Sequence, residues 1–170
     1  MSLGFETQRL RLKPVVENDL HTLHRIFADP YVRKYLCDDQ VFSLYQIKEM
    51  LIENCQLFDQ HKFGLWLIET KEQNQTIGFV GLWYFFEEPQ PQLLYALLPE
   101  FTKKGYATEA ANRIVEYCFD QLSYQYILAS CNQPNLESSK VAAKLGMKQI
   151  EERVVNDSLL LFFKIERPIV

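Results

Sequence analysis

The chain has 170 residues, the usual size of one folded domain, and can bury most of its apolar surface without a disulfide or metal staple. Its 48% hydrophobic and 24% charged residues exclude a disordered, collagen-like or coiled-coil chain, and 14% aromatics supply a large core. The net charge of −4, with the 18 basic residues scattered along the chain, argues against nucleic acid as the main partner.

From Arg9 to Lys13, Leu10 and Leu12 alternate with basic residues, the period of a short strand with one wet face, and Pro14 ends it. Asn18 or Asp19 can cap a following helix that carries Leu20, Leu23, Ile26 and Phe27 on one side. Asp29-Pro30 breaks that helix, and Pro30 opens a short helical turn through Val32 and Tyr35. Ser43 with Gln46 three residues on forms a capping box for a helix to about Phe58. Phe63–Glu69 and Thr76–Phe86, rich in β-branched and aromatic residues, predict a hairpin around the polar 71–75 loop. A further apolar stretch runs from Leu93 to Leu98. Ala107, Ala110, Ala111, Ile114, Val115, Cys118 and Leu122 then take helical spacing after Gly105. Tyr126–Cys131 reads as a strand and Leu136–Leu145 as a helix ended by Gly146. Met147–Val155 and Leu159–Ile165 read as a closing strand pair around Asn156-Asp157. Interleaved strands and helices without repeat or linker predict one domain over residues 1–170 of α/β (α+β) class.

The opening Met1-Ser2-Leu3-Gly4-Phe5-Glu6 lacks a basic region leading into an apolar stretch, and no apolar run approaches the ~18 residues of a membrane span. Cys37, Cys55, Cys118 and Cys131 lie 18, 63 and 13 residues apart, spacing that fits neither paired zinc knuckles nor a disulfide framework. They read as reduced thiols, which places the chain in the cytoplasm. His21 and His24 share a helix face but have no third ligand nearby, so no metal is expected, and His61 reads as a helix-end histidine.

The stretch from Leu94 to Ala110 runs from a strand through a loop with Lys103, Lys104 and Gly105 directly into a long helix. Unpaired amides at such a helix start favour an anion such as a pyrophosphate, although one glycine and two lysines also suit an ordinary solvated turn. The six glycines never take GxxxxGK[ST] or GxGxxG spacing, which removes the two commonest nucleotide motifs.

Gly105-Tyr106-Ala107-Thr108-Glu109-Ala110 resembles the pyrophosphate loop and helix start of the GNAT superfamily of acyl-CoA-dependent N-acetyltransferases. Glu6–Pro14, and Asn135-Leu136-Glu137-Ser138 followed by Val141–Met147, resemble its ribosomal-protein N-terminal acetyltransferase branch, and Ile77–Leu82 resembles the third-strand signature. The resemblance implies a mixed, mostly antiparallel sheet of about seven strands flanked by helices, and acetyl transfer from acetyl-CoA to a primary amine in a ternary complex. It implies that backbone groups at Ala96, Leu97 and Leu98 bind the pantetheine arm, and that Lys103, Lys104, Gly105, Tyr106, Ala107 and Thr108 hold the pyrophosphate. Asn135 would hydrogen-bond the pantetheine, and Ser138 would lie near the sulfur as the candidate acid. The chain departs from that branch at Gln92, where a carboxylate is usual, leaving Glu87 and Glu88 on the adjoining loop as substitute bases. Thr102 replaces a commoner Arg or Gln, and Ala142 falls where many relatives carry a tyrosine. The resemblance leaves the acceptor open between a protein N-terminus and a small-molecule amine, leaves a homodimer open, and admits a catalytically weak acyl-CoA sensor as the alternative.

Overall fold

The computed structural model describes residues 3–169; Met1 and Ser2, part of the stretch read for a targeting signal, and Val170 lie outside the described residues. Eight strands form one sheet: β1 (Phe5–Glu6), β2 (Leu10–Pro14), β3 (Leu65–Thr70), β4 (Thr76–Trp83), β5 (Gln92–Leu97), β6 (Tyr126–Asn132), β7 (Lys148–Val155) and β8 (Ser158–Glu166). Their spatial order is β1-β2-β3-β4-β5-β6-β8-β7, and every neighbouring pair is antiparallel except β5 with β6. The strand beyond the expected seven is β1, whose two residues are too few to carry a periodic signal.

Helices α1 (Leu20–Ala28), α2 (Pro30–Leu36) and α3 (Leu44–His61) cover one face, where Leu23, Ile26, Val32, Ile47 and Leu51 pack on Leu67 and Phe79. Helices α4 (Tyr106–Asp120) and α5 (Leu136–Lys144) cover the other, where Ala110, Ala111, Ile114, Cys118 and Ala142 meet Ile68, Val80, Leu93 and Ile127. The capping box at α3 forms as its spacing predicts: Ser43 Oγ accepts from Gln46 N, and Gln46 Oε1 accepts from Ser43 N at 2.8 Å. Asp29, not a hydroxyl residue, caps α2 by accepting from the backbone of Tyr31 and Val32. β4 stops at Trp83 instead of reaching Phe86, because Phe86 and Glu87 both turn to positive φ, 56° and 55°. Within the described residues no helix is long and apolar enough to cross a membrane, and Cys37, Cys55, Cys118 and Cys131 are unpaired.

Candidate active site

The site begins where the sheet opens. β5 pairs with β4 along its whole length, from Gln92↔Trp83 to Leu97↔Gly78, but with β6 only at Gln92↔Leu128 and Leu93↔Ala129. Leu98 N donates to Ile77 O, so the alternation of an antiparallel ladder turns the peptide groups of Tyr95 and Leu97 away from β4 and into the gap beyond Leu93. Strand β6 meanwhile stays paired with β8 as far as Asn132↔Leu160, so the two strands diverge into a V. β4 can hold β5 this closely only because residue 78 is glycine: a Cβ there would stand 2.0 Å from the Ala96 carbonyl oxygen.

Below the V lies the start of α4. Lys103 and Gly105 adopt positive φ, 62° and 82°, which turns the loop sharply into the helix. Gly105 is the N-cap and supplies no side-chain bond, so the first-turn amides of this 15-residue helix are left for a ligand. Lys103, Lys140 and Lys144 line the adjoining cavity, a cluster of positive charge beside the free amides. Lys140 and Lys144 stand four apart on one face of α5, a helical spacing within the segment that resembles the family's N-x-x-S region.

The loop is held from behind by the first strand pair. The Arg9 guanidinium lies over the Tyr106 ring at 4.4 Å, donates from Nη1 to Lys104 O at 2.8 Å, and donates from Nε to Glu109 Oε2 at 2.6 Å. Glu109 also accepts from Thr7 Oγ1 and from Arg9 N. Partial burial works against ionisation of Glu109, but these hydrogen bonds and the Arg9 charge outweigh it and hold the carboxyl below its ordinary value. The stabilisation from this carboxylate is therefore complete above the ordinary carboxylate range and is lost as pH falls through the lowered native value. If this loop holds the pyrophosphate, as the resemblance implies, Arg9→Ala should leave the fold intact but cost the loop its template, raising the Kd for acetyl-CoA roughly fivefold, about 1 kcal/mol, by calorimetric titration.

Across the gap, Tyr95 on β5 reaches α5: its hydroxyl donates to Ser138 O at 2.9 Å and accepts from Ser138 Oγ at 3.3 Å. Burial pushes the Tyr95 phenol up to about 12, so it stays protonated. Cys131 on β6 stands next to Ser138, and burial raises its thiol above the ordinary range. Asn135 Oδ1 accepts from Ser138 N and caps α5, which leaves its amide Nδ2 to meet a ligand. Asn135→Asp keeps the cap and removes the donor; it should retain the melting temperature while weakening acetyl-CoA binding, as a denaturation curve and a titration on the same sample would show.

These groups line a cavity of about 340 Å³ that runs from the α4 terminus through the V to α2. Of the residues singled out in the sequence, Ala96, Leu97, Lys103, Gly105, Tyr106, Ala107, Thr108, Asn135 and Ser138 face it. Leu98 and Lys104 do not: the Leu98 amide is spent on Ile77, and the Lys104 ammonium sits over the Phe101 ring. A second cavity of about 300 Å³ adjoins it, and Tyr35, Leu36, Leu93, Leu94, Ser130 and Cys131 belong to both walls. Asp38 is the charged residue among those lining this second chamber, and Gln92 forms part of it. Glu87 and Glu88 line neither cavity; Glu87 is exposed, and Glu88 pairs with Arg153 at 2.8 Å. Ala142 lies on the buried face of α5. His24 bonds the Phe42 carbonyl and His61 stacks on Phe63, both away from the V.

The family profile described as Acetyltransferase (GNAT) domain matches residues 9–148. The chain belongs to the GNAT acetyltransferase family. The uncharacterized N-acetyltransferase YnaD of Bacillus subtilis (strain 168) is 28% identical over 143 residues, covering 84% of this chain and 81% of that protein. Among solved structures, a GNAT-family acetyltransferase from Bordetella pertussis superposes with a TM-score of 0.84 at 16% identity, covering 95% of this chain and 98% of that one. RimL, a ribosomal L7/L12 α-N-protein acetyltransferase in complex with coenzyme A, gives 0.81 at 16% identity, covering 94% and 95%. As a GNAT acetyltransferase the chain is an acyltransferase that uses acetyl-CoA as donor. The match spans every residue of the larger cavity, whereas Val155, Asn156, Ser158 and Leu160 of the smaller chamber lie beyond it on the β7–β8 hairpin.

Proposed function

We propose that the larger cavity holds acetyl-CoA with its pyrophosphate on the Lys103–Thr108 amides and its thioester in the V, and that the smaller chamber admits a primary amine. The observation that carries this reading is the shared wall: the two cavities meet at Leu93, Ser130 and Cys131, where β5 parts from β6. An amine in one chamber then faces an acyl group in the other without any group having to travel through the protein, which supports direct transfer in a ternary complex.

The amine nitrogen attacks the acetyl carbonyl once it has lost its ammonium proton. Asp38 is the carboxylate on the acceptor side that can take this proton. The backbone N–H groups of Tyr95 and Leu97 face the gap and stabilise the carbonyl oxygen as it becomes negative. The C–N bond forms, the C–S bond breaks, and the second nitrogen proton passes to the departing sulfur, with Ser138 Oγ on the cavity wall as the hydroxyl relay. A thiol with an ordinary pKa of about 8.5 is a competent leaving group, so a weak donor such as serine suffices. Cys131 is held as the neutral thiol, which disfavours an acetylated cysteine intermediate.

Cys131→Ala should therefore retain most of the turnover, and initial rates against both substrates should give intersecting reciprocal plots. Parallel plots with acetyl-cysteine detected on the protein would overturn direct transfer. The acceptor class remains within this proposal: the L7/L12 α-amine named for RimL belongs to that protein, and the chamber here supplies its own chemistry.

A further inference from the structure

The residue that departs from its branch, Gln92, carries the least expected feature of the chamber. It sits on β5 facing α2, with 1% of its surface exposed, and lines the smaller cavity. Ser130 Oγ donates its proton to Gln92 Oε1 at 2.8 Å, which satisfies the carbonyl end of the amide. The other end, Nε2, is buried with no hydrogen-bond partner. A buried donor without an acceptor is costly, and proteins keep very few of them. At the floor of a cavity the cost is removed by a ligand atom that accepts the bond.

We propose that Gln92 is a specificity-determining residue whose side-chain amide donates to an oxygen on the acceptor, selecting amines that carry a carbonyl on the neighbouring carbon. This deepens the acetyl-transfer reading above and rests on it. The rest of the chamber agrees with that class. Asp38 forms no ion pair among the described residues and is the one charged side chain on its wall, so the chamber matches a single positive charge. An α-amino amide or a peptide N-terminus has one ammonium and one adjacent carbonyl. A free amino acid brings a carboxylate that no lining cation meets, and an alkyl diamine brings a second ammonium and no oxygen. The α-amine of such a compound has a pKa near 8, so at neutral pH a substantial fraction is already the reactive base. That matches a site whose acceptor side offers one exposed carboxylate, Asp38, and a neutral amide at position 92, where the resemblance implies a carboxylate.

The test compares kcat/KM for L-alaninamide, a tetrapeptide amide with N-terminal alanine, L-alanine and isopropylamine, each at a pH giving the same neutral fraction of amine, with the native chain and with Gln92→Leu and Gln92→Glu. Leucine fills the space and removes the donor, so it should fold as well as the native residue. The native chain should prefer the two amides over isopropylamine and L-alanine. Gln92→Leu should reduce the alaninamide-to-isopropylamine ratio about 10- to 100-fold, the scale of a lost buried hydrogen bond. Gln92→Glu should lower turnover on the amides as well. A gain with glutamate would mean that the position serves a base and would overturn the proposal, as would an unchanged ratio in Gln92→Leu. Preference for the peptide over alaninamide supports a protein N-terminus as the source of the carbonyl, and the reverse supports a free α-amino amide. Turnover of isopropylamine alone overturns the role of Gln92 and leaves acetyl transfer standing, whereas no acetylation of any amine overturns both.

Discussion

Gly105→Glu should abolish measurable acetyl-CoA binding, a loss of at least ~100-fold, while the protein still unfolds cooperatively. Three effects add. Residue 105 has φ +82°, and a side chain there costs about 1–2 kcal/mol in the left-handed region. A Cβ at this position would stand 3.3 Å from Arg9 Nη2, so the new side chain presses on the guanidinium that holds the loop. The added carboxylate competes with Glu109 for that guanidinium and places a negative charge at the helix start that we assign to the pyrophosphate. Gly105→Ala separates these contributions: it keeps the strain and omits the charge, and should lose roughly tenfold by the backbone cost alone. Titration calorimetry of the three proteins gives the ratio directly. Equal affinity in the glutamate variant would remove the loop from the cofactor site.

The second large effect is on stability. Gly78→Ala places a methyl group 2.0 Å from the Ala96 carbonyl oxygen and 2.9 Å from Leu97 Cα, both backbone atoms that cannot rotate aside. Strands β4 and β5 must separate to relieve the contact, and residue 78 sits at the end of their ladder, opposite Leu97. Overpacking of this kind costs about 3 kcal/mol, which in a chain of this length lowers the melting temperature by roughly 10 °C. The cost should also be visible in function. β5 carries both the gap-facing backbone of Tyr95 and Leu97 and the buried Gln92, so the surviving folded fraction should bind acetyl-CoA less tightly than the native chain. A melting temperature within ~2 °C of the native value would show that the sheet yields more easily than its packing indicates.

Local signals explain what could be read from the sequence. Ser43 and Gln46 announced a capping box because both of its bonds lie within one helical turn, and the apolar spacing from Ala107 to Cys118 defined α4 because its buried face meets a single sheet. Gly105 is singled out by the family resemblance of the segment that it opens, because one glycine between a strand and a helix suits an ordinary turn equally well. The resemblance implies ligand-binding backbone groups at Ala96–Leu98, but nothing local to Leu93-Leu94 marks where β5 leaves its ladder partner β6. Tyr95 on β5, Asp38 just after α2, and Lys140 and Lys144 on α5 reach the cavities from three separate parts of the chain, and only the tertiary fold brings them together. Glu87 and Glu88 show the converse. They lie near Gln92 in sequence, yet the turn at Phe86-Glu87 points them outward, where Arg153 on β7 captures Glu88. Gln92 departs from the pattern that the resemblance implies, but its unpartnered Nε2 and its bond to Ser130, 38 residues away, belong to the tertiary fold.

The most direct test of the central claim is amide hydrogen exchange of the native chain with and without saturating acetyl-CoA. Protection should rise at the Tyr95 and Leu97 amides, whose peptide groups face the gap, and at residues 103–108 around the α4 terminus, while the β2–β3 ladder is unchanged. Saturable binding with no added protection in either segment would contradict the assignment of the V to the cofactor.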